Sequence, residues 1–173
     1  MNMLCPYCGA EVLEGADVCD ECQHSLTDMS FPEPVSEVER GLLRDRVDTL
    51  RPHVPVTVPP TATLASVLQT MIAERIGCVV VAEAGRMVGI FTERDALLRV
   101  NADAAKLADR PISTVMTPNP ATLKADDKIA LALHRMNVGG YRHLPILDGE
   151  QLVGVISIRD ILAYLTQRNA ATG

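Results

Sequence analysis

The hydrophobic pattern of the chain falls into short pieces with two periods, and the pieces recur in a fixed order. Leu64, Val67, Leu68, Met71 and Ile72 are spaced as the stripe of an amphipathic helix, behind Thr61 and Thr63 as candidate caps. Val54 to Val58 reads as a short strand ahead of it. Cys78 to Ala82 is an apolar run of strand length, a turn at Ala84-Gly85 leads to a second run at Met87 to Phe91, and another helix begins near Glu93. The same order then returns. Ile129, Leu133 and Met136 predict a helix from Asp126/Asp127. Strands follow at His143 to Leu147 and Leu152 to Ile156 around an Asp148-Gly149 hairpin turn, and Ile161, Leu162 and Leu165 mark a closing helix. Ahead of both copies, Val38, Leu42, Leu43 and Val47 predict a short packing helix within Ser36 to Leu50.

The recurrence is a duplication. Offset by 65 residues and without a gap, Thr49 falls on Thr114, Pro55 on Pro120, Thr57 on Thr122, Met71 on Met136 and Val88-Gly89 on Val153-Gly154. Eleven of the 51 positions from 47 to 97 are identical to their counterparts, and many of the apolar positions among the rest exchange one aliphatic residue for another. One copy of about 60 residues buries too little surface to stand alone, so the two sheets are expected to pack face to face as one disc.

Composition adds the character of the core. The chain has 173 residues, 47% of them hydrophobic, with no Trp, three Tyr and two Phe, so the interior is aliphatic and methionine-filled. No apolar run approaches the roughly 20 residues that cross a bilayer. The opening Met-Asn-Met-Leu-Cys has neither a basic nor an apolar leader region, so the expected location is the cytoplasm. The net charge of −6 is unevenly spread: residues 1–39 hold nine acidic residues and no Lys or Arg. The remainder carries all 16 basic residues against 13 acidic ones, a net of +3.

That acidic head contains Cys5-Pro6-Tyr7-Cys8 and Cys19-Asp20-Glu21-Cys22, separated by ten residues. Two Cys-x-x-Cys turns converge four thiolates on one ion, the closed coordination of structural zinc, with Cys5, Cys8, Cys19 and Cys22 as ligands. Gly9 follows the first pair, where the chain often needs positive φ. A segment this small does not fold on its own side chains, so a metal has to contribute the folding energy. Two disulfides fit the count but not a reducing compartment, and iron in a rubredoxin-like site shares the geometry. The segment over residues 3–25 resembles the small zinc ribbons. With no Lys or Arg beside it, direct nucleic-acid binding by the ribbon is not expected, and contact with a protein partner is. His24 is an alternative ligand for a site that four sulfurs already fill. A polar, proline-containing linker is expected from Gln23 to about Pro34.

Two turns carry the remaining chemistry. Thr92-Glu93-Arg94-Asp95 and Ser157-Ile158-Arg159-Asp160 occupy matching positions in the two copies. Each reads as a capping box at a helix start. The same geometry opens backbone N–H groups toward an anion.

Together with Val115-Met116-Thr117-Pro118-Asn119-Pro120 and Arg142-His143-Leu144-Pro145-Ile146, these turns resemble the tandem cystathionine-β-synthase (CBS) domain, or Bateman module, over residues 44–168. The resemblance implies an α/β (α+β) fold: a CBS-domain pair of two β-α-β-β-α repeats, preceded here by the small four-cysteine zinc ribbon. The divisions are residues 1–26 for the ribbon, 27–43 for the linker and short helix, 44–107 for the first repeat and 108–173 for the second. The family implies adenosine compounds (AMP, ADP, ATP or S-adenosylmethionine) in clefts between the repeats, and commonly homodimers of discs. Asp95 and Asp160 then bind ribose hydroxyls, Thr92 and Ser157 touch ribose or phosphate, and Val56-Thr57 and Ala121-Thr122 line the adenine. Arg142 and His143 in the second copy and Arg75 in the first are the candidate cations for phosphate. The first copy is the weaker, with Gly77-Cys78 where the second has Arg142-His143.

No catalytic constellation is visible: no nucleophile elbow, no Walker-type loop, no paired carboxylates, and four His (24, 53, 134 and 143) without evident partners. The leading reading is a non-enzymatic ligand sensor. An adaptor with vestigial clefts, on a ribonucleoprotein for instance, and an enzyme using the cysteine pairs for thiol chemistry are the alternatives.

Overall fold

The computed structural model describes residues 2–5, 7–13, 16–26 and 36–170. The proline-rich stretch Phe31-Pro32-Glu33-Pro34, assigned above to a linker, lies outside them. Contacts divide the chain into two compact units that cut across the repeats. One comprises Met1–Pro52, Lys124–Arg142 and Ser157–Gly173; the other comprises His53–Leu123 and His143–Ile156.

The first unit holds the cysteine segment and three helices. Strands β1 (Asn2–Leu4) and β2 (Glu11–Leu13) form an antiparallel hairpin. Helix α1 (Glu37–Arg44) is capped by Ser36, whose hydroxyl accepts from Glu39 N while the Glu39 carboxylate accepts from Ser36 N. The helix predicted to reach Leu50 stops at Arg44 and resumes as a 3-10 turn at Val47–Leu50, which buries Val47 and Leu50. Helices α5 (Ile129–Gly139) and α6 (Ile158–Ala170) pack with α1. Asp45 ties this packing together: its carboxylate accepts from the Tyr164 hydroxyl at 2.7 Å and from Arg168. The approach requires Gly41, where a Cβ would overlap the Tyr164 hydroxyl. The predicted start of α5 is corrected. Lys128 occupies the N-cap with no side-chain bond, and the Asp127 carboxylate instead accepts from Lys124 N.

Two further sheets lie mostly in the second unit. Strands β3 (Thr57–Val58), β4 (Cys78–Glu83), β5 (Arg86–Thr92) and β6 (Thr117–Pro118) form one sheet in that order. β3 runs parallel to β4, while β4–β5 and β5–β6 are antiparallel. A second sheet takes the order β7 (Leu123–Lys124), β8 (His143–Asp148), β9 (Gln151–Ser157). The strand predicted at Val54–Val58 shrinks to two residues, and ahead of it His53 pairs with Val155 of β9. Helix α2 (Leu64–Glu74) starts at Thr63, whose hydroxyl accepts from Ser66 N. α3 (Glu93–Asp95) runs into a π turn at Ala96–Val100, and a short α4 (Ala104–Leu107) follows. Leu64, Val67 and Met71 of α2 pack with Val79, Val81, Phe91, Val100, Ile112 and Val115 into an aliphatic core with one aromatic ring.

The duplication is visible bond by bond. Ile112 N donates to Ala62 O and Leu64 N to Arg110 O in the second unit. The bonds offset by 65 residues, Val47 N to Asp127 O and Ile129 N to Asp45 O, occur in the first. In each case the lead-in of one repeat clamps the helix start of the other, so neither repeat completes its core from its own residues.

Candidate functional site

The four cysteines converge. Their sulfurs all lie within 4.8 Å of one another, with Cys5 to Cys22 at 3.7 Å and Cys8 to Cys19 at 3.6 Å. Tetrahedral Zn–S bonds of about 2.3 Å place sulfurs about 3.8 Å apart, so the donor set fits zinc. Two matching knuckles position the cysteines. Gly9 N donates to Cys5 O and Cys5 N to Ala10 O; Gln23 N donates to Cys19 O and Cys19 N to His24 O. The residue closing each knuckle has positive φ, 76° at Gly9 and 60° at Gln23. Burial raises the Cys8 thiol to about 11 and pushes Cys22 up as well. At Cys19 burial acts in the same direction, but backbone N–H groups of Cys22 and Glu21 and the neighbouring thiols outweigh it and lower the pKa. Those N–H groups favour a thiolate, the form a metal binds. Cys78 is different: it is buried in β4, and burial, then the nearby Glu93 charge, raises it to about 12. The fit gives His24 another role than ligand. Its Nδ1 lies 3.3 Å from Nδ1 of His134 on α5, and its ring stacks on Tyr7 at 3.3 Å between centroids. The expectation that no histidine has a partner fails for this pair, which 110 residues of sequence separate.

The two strand-to-helix turns are built alike. Glu93 N donates to Gly77 O at 3.0 Å, and the matching Ile158 N donates to Arg142 O at 2.9 Å. Thr92 N and Oγ1 both donate to Asp95 Oδ2, at 3.0 and 2.7 Å, and Ser157 N and Oγ donate to Asp160 Oδ2, at 2.6 and 2.8 Å. Each bond satisfies a polar group at a helix start.

Beyond this the copies diverge. Asp95 is buried, 8% exposed, and its Oδ1 accepts from the Thr117 hydroxyl at 2.9 Å and pairs with Arg99 at 3.5 Å. Arg99 also donates to the carbonyls of Val115 and Met116. The first turn is thus latched onto the segment that joins the repeats. Asp160 is half-buried. The positions matching Thr117 and Arg99 are Pro52, which has no hydroxyl, and Tyr164, whose hydroxyl goes to Asp45. The 65-residue offset already contained this difference.

The other expected site residues are placed as follows. Val56 O accepts from Val80 N at 2.9 Å at the start of the parallel β3–β4 pair, and Thr57 beside it is exposed. Ala121 and Thr122 are half-buried just before β7. Arg142 is exposed before β8. Arg75 is exposed as the left-handed C-cap of α2, where the second copy has Gly140, and no described hydrogen bond joins its side chain to the Thr92–Asp95 turn. His143 faces the first copy's turn. A Cβ at Gly77 would meet its Cε1 and Nε2 at 2.7 Å and the Glu93 carboxylate at 3.3 Å. Gly77 is therefore the space that the His143 ring needs. Substitution Gly77→Ala is expected to displace that ring and cost about 1–3 kcal/mol, read as a fall in the urea midpoint at unchanged slope.

Two copies of one family model, described as the CBS domain, match residues 47–102 and 112–167. The chain belongs to the CBS-domain family. The CBS domain-containing protein CBSCBSPB1 of Arabidopsis thaliana is 33% identical over 155 residues; the match covers 84% of this chain but 27% of that relative. Among solved structures, the CBS-domain containing protein ATU1752 of Agrobacterium tumefaciens is 31% identical with a TM-score of 0.65. The match covers 69% of this chain and 98% of that one. The CBS domain protein PAE2072 of Pyrobaculum aerophilum, complexed with AMP, is 30% identical with a TM-score of 0.61, covering 71% of this chain and 99% of that one. The mixed α/β CBS-pair fold expected from the repeats is thus established. Among the described residues no helix is long and apolar enough to cross a membrane.

Proposed function

We propose that this CBS-domain chain is a non-enzymatic sensor of an adenosine-type ligand (AMP, ADP, ATP or S-adenosylmethionine) that it binds chiefly through the turn of its second repeat. The observation that carries the reading is the difference in burial between two turns that share the same hydroxyl and backbone bonds to their aspartates. Asp95 spends both carboxylate oxygens inside the protein, on Thr92, Thr117 and Arg99. Asp160 accepts the same two bonds from Ser157 but stands half-buried where Asp95 is buried. A half-exposed carboxylate at a helix start suits paired ribose hydroxyls. Arg142, whose carbonyl accepts from Ile158 N at that same helix start, is an exposed cation that suits a phosphate. AMP bound to the similar PAE2072 supports the ligand class.

The cysteine segment is, in this reading, a structural zinc ribbon that contacts a protein partner, and the discs associate as homodimers in the cytoplasm. Calorimetric titration with the four compounds tests the sensor. One of them is expected to bind at one site per chain, and heats no larger than dilution for all four would leave the adaptor reading in its place.

A further inference from the structure

The ribbon has one side committed and one side open. On the committed side Tyr7 stacks on His24, and His24 meets His134 of α5. The hairpin β1–β2 defines the other. Its register pairs Leu4 with Glu11, Met3 with Val12 and Asn2 with Leu13. Paired residues share a face and neighbours alternate, so Leu4, Glu11 and Leu13 lie on the face opposite Val12. Val12 is buried at 7% exposure, whereas Leu4 is 64% and Leu13 72% exposed, with Glu11 exposed between them. Elsewhere on the ribbon Val18 is 42% exposed, and Asp17, Asp20 and Glu21 are exposed too.

Two leucines turned to water on a two-stranded hairpin are unusual in a segment this polar, and their charge setting selects what covers them. Residues 1–39 hold nine acidic side chains and no Lys or Arg. A tetrathiolate zinc would add about two further negative charges. Phosphate backbones and acidic lipid surfaces are therefore repelled. A protein segment that carries aliphatic and basic side chains together on one face is attracted, and laid over the hairpin face it sets its aliphatic side chains on Leu4 and Leu13 and a basic one toward Glu11.

We infer that the Leu4–Glu11–Leu13 face is a docking surface for a basic, aliphatic strand of a partner protein. The inference rests on the reading of the ribbon as a protein-contact element and adds the face and the partner's chemistry. The test titrates the zinc-loaded full chain, ¹⁵N-labelled, with an Arg-Val peptide whose every second residue runs Val, Arg, Val (Val-Thr-Arg-Thr-Val), and with its Glu-for-Arg counterpart, the Glu-Val peptide, and oligolysine as controls. Amide shifts are expected at Leu4, Glu11 and Leu13 with the Arg-Val peptide alone. Leu4→Ser with Leu13→Ser should weaken binding about tenfold at unchanged zinc content. Glu11→Lys should exchange the preference in favour of the Glu-Val peptide, a gain that misfolding does not mimic. Shifts confined to residues 16–26 would overturn this face while leaving the ribbon a contact element. No shift anywhere in the ribbon, or equal binding by the double-serine variant, would overturn the docking proposal, and neither outcome bears on nucleotide binding.

Discussion

Serine at Cys22, or a strong zinc chelator, unfolds the ribbon and leaves the two repeats folded. The expectation follows from where each part finds its stability. Among the described ribbon residues the buried side chains are Cys5, Cys19, Cys22, Val12 and Leu26, three of them thiols, so little apolar burial remains once the metal is gone. A structural zinc contributes on the order of 10–16 kcal/mol to folding in small modules, more than such a hairpin gains from its own contacts. The repeats draw on a separate aliphatic core around Leu64, Val79, Phe91 and Ile112. Atomic emission should find one zinc per chain in the wild type and none in Cys22→Ser. Hydrogen exchange should lose protection in residues 2–26 and keep it in β4, β5 and α2. A thiol reagent should then titrate four cysteines rapidly after chelation, while Cys78, buried and raised to about 12, reacts only after global unfolding. Iron in place of zinc would show as a visible absorption band. Four fast thiols before chelation would refute the metal site.

The second large effect separates two aspartates that the sequence alone treats as equals. Asp160→Ala is expected to abolish measurable adenosine-ligand binding, with a modest loss of stability from the missing cap of about 1 kcal/mol. Asp95→Ala is expected to do the reverse. It removes a buried carboxylate that accepts from Thr92, Thr117 and Arg99, leaving Arg99 over the carbonyls of Val115 and Met116 with its charge uncompensated. The loss should be about 2–4 kcal/mol, with ligand affinity changed less than about threefold. Chemical denaturation and calorimetry on the same two proteins distinguish the outcomes. Equal loss of affinity in both variants would mean that the Thr92–Asp95 turn also takes ligand, and the latch would then be an apo-state contact.

In the sequence the first copy is the weaker only for having Gly77-Cys78 where the second has Arg142-His143; its capping box looks like the second's, and the reason is one of range. Its capping box is local, spans three residues and is written in the sequence. The two groups that occupy the remaining oxygen are four and 22 residues away, and Arg99 reaches it from a π turn that no periodicity announces. The offset positions themselves differ, with Pro52 for Thr117 and Tyr164 for Arg99, so the latch of the first repeat is not repeated with the same residues in the second. The preference of His143 for the first copy's turn had a signal as well: a glycine at position 77 opposite Arg142. The His24–His134 contact had none, because nothing local relates a ribbon loop to a helix 110 residues later.

The sequence by itself determined the duplicated α/β repeat, the order of its elements and the four cysteines that converge as a candidate metal site. Each of these is a short-range matter of period, cap or spacing, and each copy of the repeat checks the other. Only the tertiary structure decided how the carboxylates are spent. Whether an aspartate is a buried latch or a half-buried cap depends on what the folded chain packs around it. For Asp95 one donor, Thr117, comes from the lead-in of the other repeat and the second, Arg99, from the π turn that follows the capping box, and only the folded chain brings both to one oxygen.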